Sequence, residues 1–217
     1  MTAREEIMQS IRANLAASAG LPVHHAGAPA NTAAIPGDEH HDRTPVARFR
    51  ERLESVGGHC FIVSRAEDAS RVLEEILTSL NSARRIALSD APLVAELMSG
   101  IEKDEINVCP AAADLFAYDV GITSAQAAIA ETGTVILQAE NERHRLISLL
   151  PPVHIAIVRA GDIQPTIGAA LAALQHQDDL SRAITFITGP SRTADIELTL
   201  TVGVHGPKEL YVIIIDG

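Results

Sequence analysis

From Pro45 onward the chain alternates short, β-branched apolar runs with longer stretches of helical periodicity, and few folds accept that rhythm. Cys60-Phe61-Ile62-Val63, Arg85-Ile86-Ala87-Leu88 and Ile106-Asn107-Val108 read as strands, as do residues 153–158, 183–188, 198–204 and 210–215. Between them, residues 45–56, 64–80, 91–98 and 165–175 read as helices. Gly57-Gly58 stops the first, and Ser64-Arg65-Ala66-Glu67 has the spacing of a capping box for the second. Residues 126–130 and 134–138 flank Glu131-Thr132-Gly133 as a hairpin or as adjacent strands around a tight turn. The expected architecture is α/β: a layered, largely parallel sheet with helices on both faces and some antiparallel pairs near its edge.

Composition fits that expectation. Hydrophobic residues make up 47% of the 217 but aromatics only 3%, with no Trp, so the core must be built from Ala, Val, Ile and Leu, as in sheets buried on both faces. A net charge of −11 argues against nucleic acid, which rewards clustered Lys and Arg. Lys103 and Lys208 are the only lysines, a composition bias without functional meaning on its own. Cys60 and Cys109, the only cysteines, read as buried reduced thiols. They are too few to hold an iron–sulfur cluster, and no Cys-x-x-Cys occurs. No Gly-x-Gly-x-x-Gly follows a strand and no P-loop is present, so no nicotinamide, flavin or other cofactor is expected, and no metal. The chain has no apolar run of membrane-spanning length. Charges at Arg4, Glu5, Glu6 and Arg12 interrupt any signal-peptide core, so the expected compartment is the cytoplasm.

Two domains are expected, residues 1–44 as a helical arm with a flexible linker and residues 45–217 as the α/β domain. Thr2-Ala3-Arg4-Glu5 opens a helix over 2–17 with a narrow stripe of Ile7, Met8, Ile11 and Leu15. That stripe needs a cover, from its own domain or a twin subunit (a homodimer) ahead of another protein. Residues 18–44, rich in Ala, Gly, Pro, His and Asn, cannot bury a core. His24-His25 and His40-His41 lie there without a carboxylate or Cys spaced to complete a metal cage.

The chemistry concentrates in turns. Gly189-Pro190-Ser191-Arg192-Thr193-Ala194-Asp195-Ile196-Glu197 follows the apolar run 183–188. Gly and Pro reverse the backbone there, while two hydroxyls and a guanidinium offer donors for a carboxylate or phosphate. Gly203-Val204-His205-Gly206-Pro207 repeats the design, and two such turns in one sheet suggest a site at its edge. In that reading Gly189, Ser191, Arg192, Thr193 and Gly206 bind an anion, while Asp195 orients it or acts as base. In the plainer one Ser, Thr and Asp cap the next turn, with Arg192 paired to Asp195 or Glu197. His205 either moves a proton or braces its turn through a backbone carbonyl. Arg145 either adds a second positive charge or pairs with Glu142, and His154, inside an apolar strand, reads as a satisfied core residue.

These motifs, with Ala130-Glu131-Thr132-Gly133-Thr134 and Leu150-Pro151-Pro152-Val153-His154-Ile155 upstream, resemble the LUD-domain family over roughly residues 85–217. The resemblance implies a fold like that of ribose-5-phosphate isomerase, glucosamine-6-phosphate deaminase and the CoA transferases. It also implies a role in oxidising L-lactate to pyruvate beside iron–sulfur partner proteins, with a small anionic ligand. By analogy with the CoA transferases Glu131 becomes a candidate nucleophile; its plainer reading is a turn residue capping nearby N–H groups. Thr132, Gly133 and Thr134 would then line the site, and His205 could take the hydroxyl proton of lactate. Whether the chain is itself an enzyme stays open. A stand-alone enzyme for a sugar phosphate or acyl-CoA, and a non-catalytic scaffold or regulator, are the competing readings.

Overall fold

The computed structural model describes residues 8–9, 44–80, 85–102, 105–139, 142–175, 183–194, 200–202 and 206–217. The chain divides into two compact units, residues 1–41 and 42–217. In the first, Met8 and Gln9 are helical; the rest of the helix expected over 2–17 lies outside the described residues.

The second unit is built on a six-stranded sheet in the order β1-β12-β7-β4-β2-β3, with every neighbouring pair parallel. Its strands are β1 (His59–Val63), β2 (Arg85–Leu88), β3 (Glu105–Val108), β4 (Val120–Ser124), β7 (Val153–Arg159) and β12 (Glu209–Ile215). Strand alternation sorts the apolar residues onto two faces. Ile86, Leu88, Ile122, Ile155, Ile157, Ile213 and Ile215 point one way, where helices α2 (Ala66–Ser79) and α3 (Pro92–Met98) cover them with Leu73, Ile76, Leu77, Val94 and Leu97.

The opposite face carries Cys60, Ala156, Val158, Leu210, Val212 and Ile214. Helix α1 (Pro45–Ser55) covers part of it with Phe49 and Leu53, and α4 (Glu142–Ile147) another part, where Ile147 packs with Ala87, Leu115 and Tyr118. The remainder is closed by a second sheet, β8 (Ile163–Gln164), β5 (Ala127–Ile129), β6 (Thr134–Ala139) and β9 (Ala183–Ile187), in that order. The antiparallel pairs expected at the edge of one sheet are therefore a separate layer. Ala125, Ala128 and Ala130 leave room for it against the large sheet, together with Val135 and Leu137. Its far side packs Ala127, Ile129 and Ile136 under Ala170 and Leu174 of α5 (Ile167–Gln175).

Helix α1 starts where Thr44 accepts a hydrogen bond from the Ala47 amide, 3.3 Å, with Pro45 in the first turn. For α2 the expected capping box is not used: Arg65 holds the N-cap position without a side-chain cap, and Asp68 pairs with Arg65 and Arg71 instead.

Strand β4, central in the large sheet, is absent from the sequence reading because Gly121, Thr123 and Ser124 dilute its apolar signal. The structure explains the glycine. A Cβ on Gly121 would collide with the Ile147 carbonyl and lie 3.2 Å from Pro151 Cγ, so the end of α4 rests directly on the strand backbone.

Candidate functional site

Two turns rest on the carboxyl end of α1, and a third joins them through Ser191. The first, residues 130–133, links β5 to β6. Gly133 has φ +66, and a Cβ there would lie 2.7 Å from Leu53 Cα and 2.8 Å from the Arg52 carbonyl carbon. The turn is thus pressed onto the backbone of α1, where only glycine fits. The second turn, Gly189-Pro190-Ser191, leaves β9, and Gly189 packs against Val56, the C-cap residue of α1. The third, around Gly206-Pro207, leads into β12. Pro207 accepts a hydrogen bond from the Ser191 amide (2.8 Å), and Gly206 lies against the Ser191 side chain.

The two glycine-proline turns were expected at the edge of one sheet, and here the structure differs. The segment 183–188 belongs to the small sheet, and Gly206-Pro207 precedes a strand of the large one, at its amino end. What joins them is the contact of Ser191 with Gly206 and Pro207, with Gly189 resting on Val56 at the end of α1, not a common sheet edge.

Arg192 begins β10 (Arg192–Ala194), which pairs with β11 (Leu200–Val202) in a two-stranded hairpin. Its Nη2 donates to the Val56 carbonyl at 2.6 Å, beside Gly57, which has φ +86. A guanidinium at a helix carboxyl end satisfies an orphan carbonyl and complements the negative end of the helix dipole. Among the described residues no carboxylate pairs with Arg192, and the side chain is exposed. A guanidinium carries five N–H donors, so the contact to Val56 leaves most of them for solvent or a ligand.

A chain of hydroxyls links the first two turns. Thr132 Oγ1 and Thr134 Oγ1 share a hydrogen bond of 2.6 Å, and Thr134 Oγ1 shares another of 2.7 Å with Thr188 Oγ1, at the end of β9. Glu131 faces a different neighbour: its Oε1 accepts from the Ile167 amide at 2.6 Å, at the amino end of α5. The carboxylate thereby complements the positive end of that helix.

The candidate residues therefore divide. Thr132, Gly133, Thr134, Gly189, Ser191 and Arg192 are brought together at the end of α1, Gly206 joins them through Ser191, and Glu131 is turned toward α5. The side chain of Thr193 and all of Asp195 and His205 lie outside the described residues. Arg145 sits apart on α4. Its Nε is buried without a hydrogen-bond partner, and the side chain of Glu142 is not among those described. His154 is fully buried in β7; its Nε2 shares a 2.8 Å hydrogen bond with Thr123 Oγ1, while Nδ1 has no partner. Burial pushes the His154 imidazolium down to about 3, so the ring is neutral. Helix α1 itself, through the Val56 carbonyl and the Leu53 backbone, is the part of the site that sequence motifs did not mark. Among the described residues no group of three His, Cys, Asp or Glu could hold a metal, and no helix is long and apolar enough to cross a membrane.

A parallel sheet backed by a smaller sheet, with glycine turns converging on a helix end, defines an α/β protein whose polar site is built from loops. The chain belongs to the LUD-domain family: the LUD domain model matches residues 46–215. It is 43% identical over 102 residues to a lactate utilization protein C of Macrococcus caseolyticus, covering 45% of this chain and 44% of that protein. The match thus spans less than half the length of that relative. A lactate utilization protein C of Deinococcus radiodurans is 30% identical over 218 residues, covering 98% of this chain and 95% of the relative. The crystal structure of a DUF162 family protein, also from D. radiodurans, superposes with a TM-score of 0.58 at 25% identity, covering 79% of this chain and 96% of that one.

Proposed function

We propose that this chain serves lactate utilization, as one component of a system that oxidises L-lactate to pyruvate together with iron–sulfur partner proteins. Both D. radiodurans and M. caseolyticus relatives carry the name lactate utilization protein C, which supports the pathway. The two cysteines of this chain are too few for a cluster, so the redox centres in this reading belong to partners. The working surface is the cluster of turns on α1, holding a small anion such as lactate or docking the partner.

The observation that carries this reading is Arg192: an exposed guanidinium fixed by one hydrogen bond to Val56, without a carboxylate partner among the described residues. Such a group is positioned to receive a carboxylate bidentately. The test is thermal-shift titration of the purified chain with L-lactate and pyruvate, beside capture of cluster-bearing partner proteins. Arg192→Ala should abolish the ligand-induced rise in midpoint or the capture, and Arg192→Lys should keep part of it. Retention of both in Arg192→Ala would rule the surface out.

A non-catalytic scaffold is the second reading. It is favoured by one fact: Glu131 and Arg192 each satisfy a helix end, so both have structural employment. In that case Arg192→Ala lowers the unliganded midpoint and changes no ligand response.

A further inference from the structure

The two edges of the large sheet are not alike. At one, β3 begins with Glu105, which Arg85 of β2 holds with hydrogen bonds of 2.8 and 2.9 Å. Charge of that kind discourages a further strand from adding to an edge. At the other, β1 reads His59-Cys60-Phe61-Ile62-Val63, without an acid, a lysine, an arginine or a proline. All of it pairs with β12 in unbroken register, so no bulge bends it away either. Among the described residues no strand pairs with its outer side. The Val63 carbonyl accepts from the amide of Asp216, the residue after β12. Because backbone direction alternates along a strand, His59, Phe61 and Val63 turn their N–H and C=O groups toward β12. Cys60 and Ile62 turn theirs outward. Beside that open ladder the Phe61 and Ile62 side chains, on opposite faces of the sheet, are each 37% exposed.

We propose that this edge pairs with β1 of a second copy of the chain, antiparallel about a two-fold axis at Phe61, joining two six-stranded sheets into one. The register follows from what β1 offers. Setting Phe61 against Phe61 places Cys60 opposite Ile62 of the second copy, and these are the residues whose backbone groups face outward. Each such pair exchanges both of its hydrogen bonds, and the symmetry doubles them. The Phe61 rings then meet as a non-hydrogen-bonded pair, the closer kind in an antiparallel ladder and one that favours aromatic contact. A strand of another protein could add to the same edge; what selects a second copy is the charge on α1. Helix α1 packs in one cluster with Cys60 through Phe49 and Leu53, and its Arg50 and Glu54 lie near enough to act on the Cys60 thiol. Those two form an exposed ion pair of 2.9 Å, one helical turn apart. Such a patch is its own complement, since a two-fold axis sets Arg50 of one copy toward Glu54 of the other. None of the turn residues at the end of α1 takes part, so the seam stands or falls apart from the function proposed above.

The test is sedimentation equilibrium of the full chain across the micromolar range, which should show a monomer–dimer equilibrium. Ile62→Lys changes a side chain already partly in solvent and should keep the circular dichroism of the wild type. It should raise the dimer Kd about tenfold or more by bringing a charge to the seam. Arg50→Glu alone should weaken the dimer, and adding Glu54→Arg should restore it. Phe61→Cys reports the register itself: under mild oxidation it should form a disulfide with its twin, identified by peptide mass, because the proposed axis brings that residue against itself. A chain that stays monomeric throughout overturns the proposal. So does a dimer that Ile62→Lys leaves unchanged, or one in which Phe61→Cys forms no such disulfide.

Discussion

Replacing Gly133 by alanine tests whether the turns are pressed onto α1 as described. Two separable costs arise. The residue has φ +66, a left-handed conformation that costs an L-residue about 1–2 kcal/mol. The added Cβ also meets Leu53 Cα at 2.7 Å and the Arg52 carbonyl carbon at 2.8 Å, backbone atoms that cannot rotate away. Overpacking of that kind costs about 1–3 kcal/mol. The two together come to about 2–5 kcal/mol, a fall in melting temperature of about 4–20 °C for a chain of this size. Gly100 provides the control, since it has φ +91 but nothing within 4 Å of a Cβ. Gly100→Ala should therefore show the conformational cost alone, about 2–8 °C. The assay is thermal unfolding by circular dichroism of both variants beside the wild type. Equal losses in the two would refute the close approach of the turn to α1.

Two further outcomes are expected. His154 has its ring pKa lowered from 6.5 to about 3 by burial, so the unfolded chain binds a proton that the folded one refuses. Stability from this residue is complete above pH 6.5 and is lost as pH falls toward 3, at up to about 1.4 kcal/mol per pH unit. Urea unfolding at pH 7 and pH 5 should show a smaller acid loss for His154→Leu than for the wild type, and equal slopes would contradict it. Cys60, whose thiol burial pushes up to about 12, should resist a thiol reagent at pH 8 until the protein is unfolded. Labelling of Cys60 at the rate of a free thiol in the native protein would show that β1 is not closed.

The parts of this molecule that were legible in the sequence are those whose signal is local. The strands at 59–63, 85–88, 153–159 and 209–215 carry β-branched runs, and the hairpin around Gly133 carries its turn residue. Strand β4 was hidden because its glycine answers to α4, a neighbour later in the chain. The site shows the same limit. The motifs at 130–134, 189–192 and 206–207 could be named, but the contact of the first two with the end of α1, and of the third with Ser191, could not. Arg192 reaches Val56, and Glu131 reaches the Ile167 amide, across stretches where periodicity carries no information. Whether Arg192 paired with Asp195, as the plainer reading had it, falls outside the described residues.

The placement of β12 has a consequence for how the molecule comes into being. The strand latest in sequence lies inside the large sheet, between β1 and β7, pairing Tyr211 with His59 on one side and with Ile155 on the other. During synthesis β1 emerges early and then waits, its hydrogen-bonding edge unclaimed, until residues 209–215 leave the ribosome. Such long-range parallel pairing is slow to form, because the loop must close before any contact rewards it. The nascent chain therefore passes through a stage in which the Ile213-Ile214-Ile215 slot is open and sticky. A chain interrupted before residue 209 would leave that slot unfilled for good, a natural handle for quality control.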